Sequence, residues 1–104
     1  MSLADGVLPT TQATIYEVKN AKGVEIYQFF LFNNNAAGQT FSIYIKRKGG
    51  TARRVTSGAA LAQFGEHRPL ETAAPLHLAA GDSIEGITTT TDAMDFVITG
   101  KELV

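Results

Sequence analysis

The chain contains no cysteine and no tryptophan, only three prolines and two histidines, and no apolar run near the ~20 residues that a membrane helix requires. Each shortage excludes something. Without cysteine there is no disulfide framework and no thiolate metal site, so packing and hydrogen bonds alone hold the fold. No charged start leads into an apolar segment, so there is no signal-peptide pattern. The expectation is a soluble protein without a membrane partner, not exported by the general route. Charge of one sign is scarce too. Nine Lys and Arg against ten Asp and Glu leave a formal −1, so the net field gives no reason to expect a polyanion.

What is present is a β pattern. The 104 residues fit one domain, and a hydrophobic content of 44% argues against disorder. The stretch Val24 to Lys48 holds most of the aromatic residues. It reads as a hairpin of two long strands joined by a polar turn of Asn33, Asn34, Asn35 and Gly38. In Thr40 to Lys46 the parity is clear: Phe41, Ile43 and Ile45 share one face, and Ser42, Tyr44 and Lys46 the other. In Val24 to Phe32 the same alternation puts Ile26, Phe30 and Phe32 on one face and Tyr27, Phe29 and Leu31 on the other. Both faces of that strand then call for burial, the second of them by a covered sheet or a neighbouring subunit. Tyr27, Phe29, Leu31 and Tyr44 are on this basis the residues expected to contact another subunit.

The rest of the chain supplies shorter strands. Residues 1–12, with Gly6 and Pro9 and no periodicity, read as an N-terminal arm, and 13–104 as the domain. Ala13 to Lys19 is a first strand, and Asn20 to Gly23 a tight turn. After the Gly49-Gly50 turn comes Thr51 to Thr56. Ser57 to Phe64 is a single helical turn or a short strand, and Glu66 to Pro75 is irregular. Leu76 to Leu78, Ile84 to Thr88 and Met94 to Gly100 are strands, with Gly86 marking a bulge or a close backbone approach. The fold class is all-β: a single antiparallel β-sandwich of seven to eight short strands, jelly-roll or immunoglobulin-like.

Catalytic chemistry finds no support in the residues. His67 and His77, near Glu66 and Glu71, match no metal-ligand spacing, so no metal and no cofactor is expected. No serine stands in a strained strand-to-helix turn. Asp82 with Glu85, and Asp92 with Asp95, fall at turns and strand starts where acids solvate loops. Gly49-Gly50 and Gly81 are turn glycines, not a phosphate cradle. The chain is read as a non-enzyme.

Charge distribution is more informative. Lys46, Arg47, Lys48, Arg53 and Arg54 cluster within nine positions, whereas Asp82, Glu85, Asp92, Asp95 and Glu102 oppose only Lys101 in the stretch from Asp82 to Glu102. The cluster either guards a sheet edge or docks on an anion or an acidic neighbour, a second copy included. Without stacking aromatics beside it and a net positive charge, nucleic acid is not the expected partner. A competing reading is a sugar-binding sandwich with an exposed platform of Tyr16, Tyr27 or Tyr44. Another is a cupin-like metal protein with His67 or His77 in a pocket.

The order IYQFFLFNNNAAGQTFSIYIKRKGGTARRV, then PLHLAAGDSIEGITTTTDAMDFVITGKE, resembles the small β-sandwich virion proteins of tailed bacteriophages. In these an I-Y-x-x-x-L-F-N strand precedes one ending near Gly-Gly-Thr, and a Leu-x-x-Gly-Asp strand leads to a V-x-I-x-G-x-E-like end. The Phe64 to Thr72 loop departs from the pattern and is the place for specialisation. The resemblance implies a structural protein of the phage virion, assembled in the bacterial cytoplasm. It is of the capsid decoration or cement type, dimeric or trimeric, bound to the major capsid protein or other virion proteins. The alternative it carries is a tail or fibre module that binds host glycan.

Overall fold

In the computed structural model, which describes residues 2–34, 38–61, 66–90 and 94–103, turn residues cut the chain into eight strands. These are β1 (Ser2–Val7), β2 (Ala13–Glu17), β3 (Val24–Asn33), β4 (Gln39–Lys46), β5 (Arg53–Leu61), β6 (Glu66–Leu78), β7 (Ser83–Thr88) and β8 (Met94–Glu102). They form two four-stranded antiparallel sheets, ordered β1-β8-β3-β6 and β2-β7-β4-β5. First pairs with last, second with seventh, third with sixth and fourth with fifth. A long hairpin rolled up on itself produces that nesting. It is the jelly-roll arrangement, so the immunoglobulin-like option falls away.

The rolling corrects the first expectation for Val24 to Lys48. β3 and β4 are not a hairpin, because they belong to opposite sheets. Each carries one strongly apolar face, and lying in opposite sheets lets both faces enter one core. Asn33 closes β3 as a fully buried residue, and Asn35 lies outside the described residues. The connection that does make a hairpin is β4 to β5, through Gly49 at φ 71°.

β3 also departs from simple alternation. Against β8, Ile26 pairs with Gly100 and Gln28 with Thr99, leaving Tyr27 as an extra residue. This bulge resets the parity. Val24 and Ile26 before it, and Phe29, Leu31 and Asn33 after it, all face the core, while Phe30 and Phe32 turn outward and are half-buried. The groupings of Ile26 with Phe30 and of Tyr27 with Phe29 are therefore both overturned.

The core joins Ile26, Phe29, Leu31, Leu78, Met94, Phe96 and Ile98 from one sheet to Phe41, Ile43 and Ile84 from the other. Phe29 and Phe96 pack with ring centroids 6.5 Å apart and tilted by 59°, a geometry worth about 0.5–1.5 kcal/mol beyond burial. At Gly86 the close neighbours are side chains and not the backbone expected of it, since a Cβ there would come within 2.9 Å of Leu8 Cδ2. Leu8 is 1% exposed. It seals the sandwich because β1 is a paired strand and not a loose arm, which corrects the reading of residues 1–12.

Of two further segments, the first takes the strand option of its two readings and the second differs from expectation. Ser57 to Leu61 continues β5 as strand, and residues 62–65 lie outside those described. Glu66 to Pro75 is not irregular but forms most of β6, paired with β3. Pro69 and Pro75 hid it, since proline donates no ladder bond. They are tolerated here because β6 is an edge strand. The Phe64 to Thr72 loop is thus strand from Glu66 onward, with Phe64 outside the described residues.

Candidate functional site: the basic end of the sandwich

The winding sorts the connections between the two ends of the sandwich. One end carries residues 18–23, 47–52 and 79–82, together with the last residues of β8. Every lysine and arginine except Arg68 falls in these connections or in the strand ends beside them. Against them stand Glu17, Glu25, Asp82 and Glu102. The near-neutral whole therefore conceals a basic end.

Within it the five clustered bases have different fates. The Arg47 side chain and the Lys48 backbone are fixed by Asp82, whose side chain is 6% exposed. One carboxylate oxygen accepts from Arg47 Nη1 at 2.9 Å and from the Ala79 amide at 2.9 Å, and the other accepts from the Lys48 amide at 2.9 Å. Arg47 Nη1 also donates to the His77 carbonyl at 3.2 Å. Burial pushes the Asp82 carboxyl up, but the Lys48 amide, the Arg47 guanidinium and the Ala79 amide outweigh it and hold the group below the ordinary carboxylate range. The stem of Lys48 lies over Gly81, which has φ +90° and where a Cβ would meet Lys48 Cδ at 2.6 Å.

Arg54 lies opposite Tyr44 in the β4–β5 ladder, its guanidinium 5.6 Å from the ring centroid and its Nη2 donating to the phenol oxygen at 3.3 Å. Arg53 lies opposite Ile45, so the two adjacent arginines take opposite sides of the strand as strand geometry requires. Lys46 and Arg53 are exposed. The result is a rim in which Arg47 and Arg54 are held in place and Lys46 and Arg53 reach into solvent.

The expected contact residues separate. Phe29 and Leu31 are both 0% exposed and belong to the core, so they touch no other subunit; the bulge at Tyr27 is the reason. Tyr27, 44% exposed, and half-buried Tyr44 do reach the surface, but on opposite sheets. The three tyrosines do not join in one platform: Tyr16 packs against the core, where burial and then nearby Glu102 push its phenol up.

The described acids of the two candidate pairs have other partners. Glu85 accepts from Gln12 Nε2 at 2.8 Å, and Asp95 from Asn34 Nδ2 at 2.9 Å, while Asp92 lies outside the described residues. His77 is exposed, and His67 stands in β6 opposite Leu31. Among the described residues no three His, Asp or Glu side chains gather as metal ligands would.

Asp82, which organises this end, is the residue that the sequence undersells. Its signal was the Ala79-to-Asp82 spacing, which suits a carboxylate closing a turn on its own backbone.

No protein-family model matches the chain, and no curated protein does. Two solved chains resemble it. One is from the structure of infectious bursal disease virus Gx strain, with a TM-score of 0.48, 11% identity and 98% of this chain covered. The other is from the structure of infectious bursal disease virus Gt strain, with a TM-score of 0.41, 11% identity and 96% covered. The chain spans 32% and 31% of their respective lengths.

Proposed function

We propose that the chain is a non-enzymatic structural subunit of a virion, of the capsid decoration or cement type, which attaches through its basic end. The observation that carries the reading is the segregation of nearly all lysine and arginine to one end of a rolled β-sandwich. Such a rim is built for non-covalent docking on an acidic protein surface. Charge complementarity orients the partner, and many weakly held copies add up to a strong attachment. The order of strand and turn motifs, resembling small phage virion sandwiches, supports the same assignment. Self-association as a dimer or trimer belongs to the proposal, as does contact with the major capsid protein.

Asp82, one acid of the stretch expected to meet the bases of another copy, already binds Arg47 of its own chain. The partner's acids are then better sought on a different protein or a different face.

Mass spectrometry of gradient-purified virus particles produced from the encoding genome tests the assignment. The chain should be present at a copy number fixed relative to the shell protein, and its absence from the particles overturns the reading. Light scattering of the purified chain reports the dimer or trimer separately.

A further inference from the structure

The end opposite the bases has another chemistry. It collects the segment after β1, the end of β3, the start of β4 and the residues just after β7, rich in threonine, asparagine and glutamine. An open hollow of about 290 Å³ lies there, lined by Thr10, Thr40, Ser42, Thr88 and Thr89 together with Phe41 and Ile87. We propose that this hollow binds a neutral saccharide, a reading that does not depend on the virion assignment.

The lining matches that ligand in three ways. No lining residue carries charge, so an anion finds no counter-charge here and is drawn to the other end. The hydroxyls are arranged with direction. Thr88 Oγ1 donates to the Thr40 carbonyl at 2.8 Å and Thr89 Oγ1 donates to Gln39 Oε1 at 2.9 Å. A hydroxyl that has spent its proton presents its lone pairs, so the exposed Thr89 accepts, while Thr88 is buried and braces the Thr40 backbone, and the exposed Thr10 and Thr40 hydroxyls can rotate to give or take. Sugar hydroxyls both donate and accept. Ile87, half-buried beside them, offers an apolar wall to the C–H face of a ring.

The walls are also held in place. Phe41 pairs with Thr88 and Ser42 with Ile87 across β4 and β7. The third wall is tied by the Thr88 amide donating to the Pro9 carbonyl at 2.9 Å and the Leu8 amide to the Met94 carbonyl at 2.8 Å. The volume lies just under the range for small-molecule sites, about 300–1,000 Å³, which suits a single sugar residue or the end of a glycan.

The test is an NMR titration of the isotope-labelled chain with glucose, galactose, mannose, N-acetylglucosamine and N-acetylgalactosamine at millimolar concentration. At least one sugar should shift the amides of Thr40, Ser42, Ile87 and Thr89. Ser42→Trp should abolish the shifts by filling the hollow. Thr40→Val and Thr89→Val should weaken binding about two- to tenfold, the range for one lost neutral hydrogen bond. If Ser42→Trp does not fold, the two valine variants decide, each with its fold checked by thermal melting. The proposal is overturned if no sugar on the panel shifts these amides, if the shifts map to Lys46 and Arg53, or if the folded variants bind as well as the parent.

Discussion

Arg47 and Asp82, 35 residues apart in the chain, meet at 2.9 Å where the β4–β5 turn and the β6–β7 turn adjoin, and they contribute unequally. Arg47 is 57% exposed at its side chain, so water and salt screen what it offers, whereas Asp82 is buried and satisfies two backbone amides besides. Removing the acid strands the Lys48 and Ala79 donors. Asp82→Ala should cost about 2–4 kcal/mol, and Arg47→Ala less than about 1 kcal/mol. Urea unfolding of the two variants measures both, and equal losses would place the stabilisation in the ion pair alone.

The same carboxylate sets an acid limb. Its folded-state pKa is depressed, so its contribution is complete above the unfolded value, about 3.9, and is lost as pH falls from there through the lower folded value. Thermal melts of the parent and Asp82→Asn should differ by a constant amount from pH ~7 to ~5 and converge below about 4. A gap that persists undiminished in acid would show that the charge of Asp82 is not what stabilises this corner.

The strands with an uninterrupted period of two were legible from sequence. Phe41 with Ile43, Ile84 with Gly86, and Met94 with Phe96 and Ile98 all face the core as alternation requires. What alternation could not supply was anything that breaks it or acts at a distance. The extra residue at Tyr27 moves Phe29 and Leu31 from one face to the other. Prolines mask β6 although its backbone is paired, and β1 carries too little hydrophobic signal to announce a partner as distant as β8. The basic end was half legible. Lys46 to Arg54 are neighbours in sequence, but Lys19, Lys22 and Lys101 join them only through the rolling of the sheets. The threonine-lined hollow was not seen, because its lining comes from three separate segments.

Tyr27 tests the bulge directly. Deleting it restores strict alternation, and either Val24 and Ile26 or Phe29 and Leu31 must then leave the core. Exposing two such side chains costs about 3–6 kcal/mol at 1.5–3 each, a large share of a small domain's stability. The deletion should abolish the cooperative melt. Tyr27→Thr keeps the residue count and removes only an exposed ring, so its melting temperature should stay within a few degrees. A deletion variant with parental stability would mean that the bulge does not set the facing of β3.

Two glycines in paired strands should respond differently to a methyl group. At Gly100 the new Cβ would meet the carbonyl oxygen of Glu25 on β3, which can retreat only by breaking the ladder. At Gly86 it would meet Leu8 Cδ2, the end of a side chain with other rotamers, and Ile43 Cδ1 at 3.3 Å. Gly100→Ala is expected to cost more than about 3 kcal/mol and Gly86→Ala about 1–3 kcal/mol. Denaturant midpoints of the two variants give the comparison, and the reverse order would contradict the strand packing described.

Attachment through the basic rim predicts which charges matter and how salt acts. Arg47 is committed to Asp82 and Arg54 lies on Tyr44, so within the strand ends of β4 and β5 Lys46 and Arg53 are the cations directed at a partner, beside the exposed Lys19, Lys22, Lys48 and Lys101 of the same end. Each exposed pair is worth up to about 1 kcal/mol, so Lys46→Gln with Arg53→Gln should weaken binding to particles assembled without the chain by about five- to thirtyfold. Chain stability should be nearly untouched, and Arg47→Gln should weaken attachment less. Raising salt from ~0.05 to ~0.5 M shortens the screening length from more than ~10 Å to a few ångströms, and should release the parent while weakening the double variant by a smaller factor. Sedimentation of chain with particles reads all of these. Attachment that ignores both salt and the double variant would move the contact away from this end, towards the outward-facing side of β3 where Tyr27 is exposed.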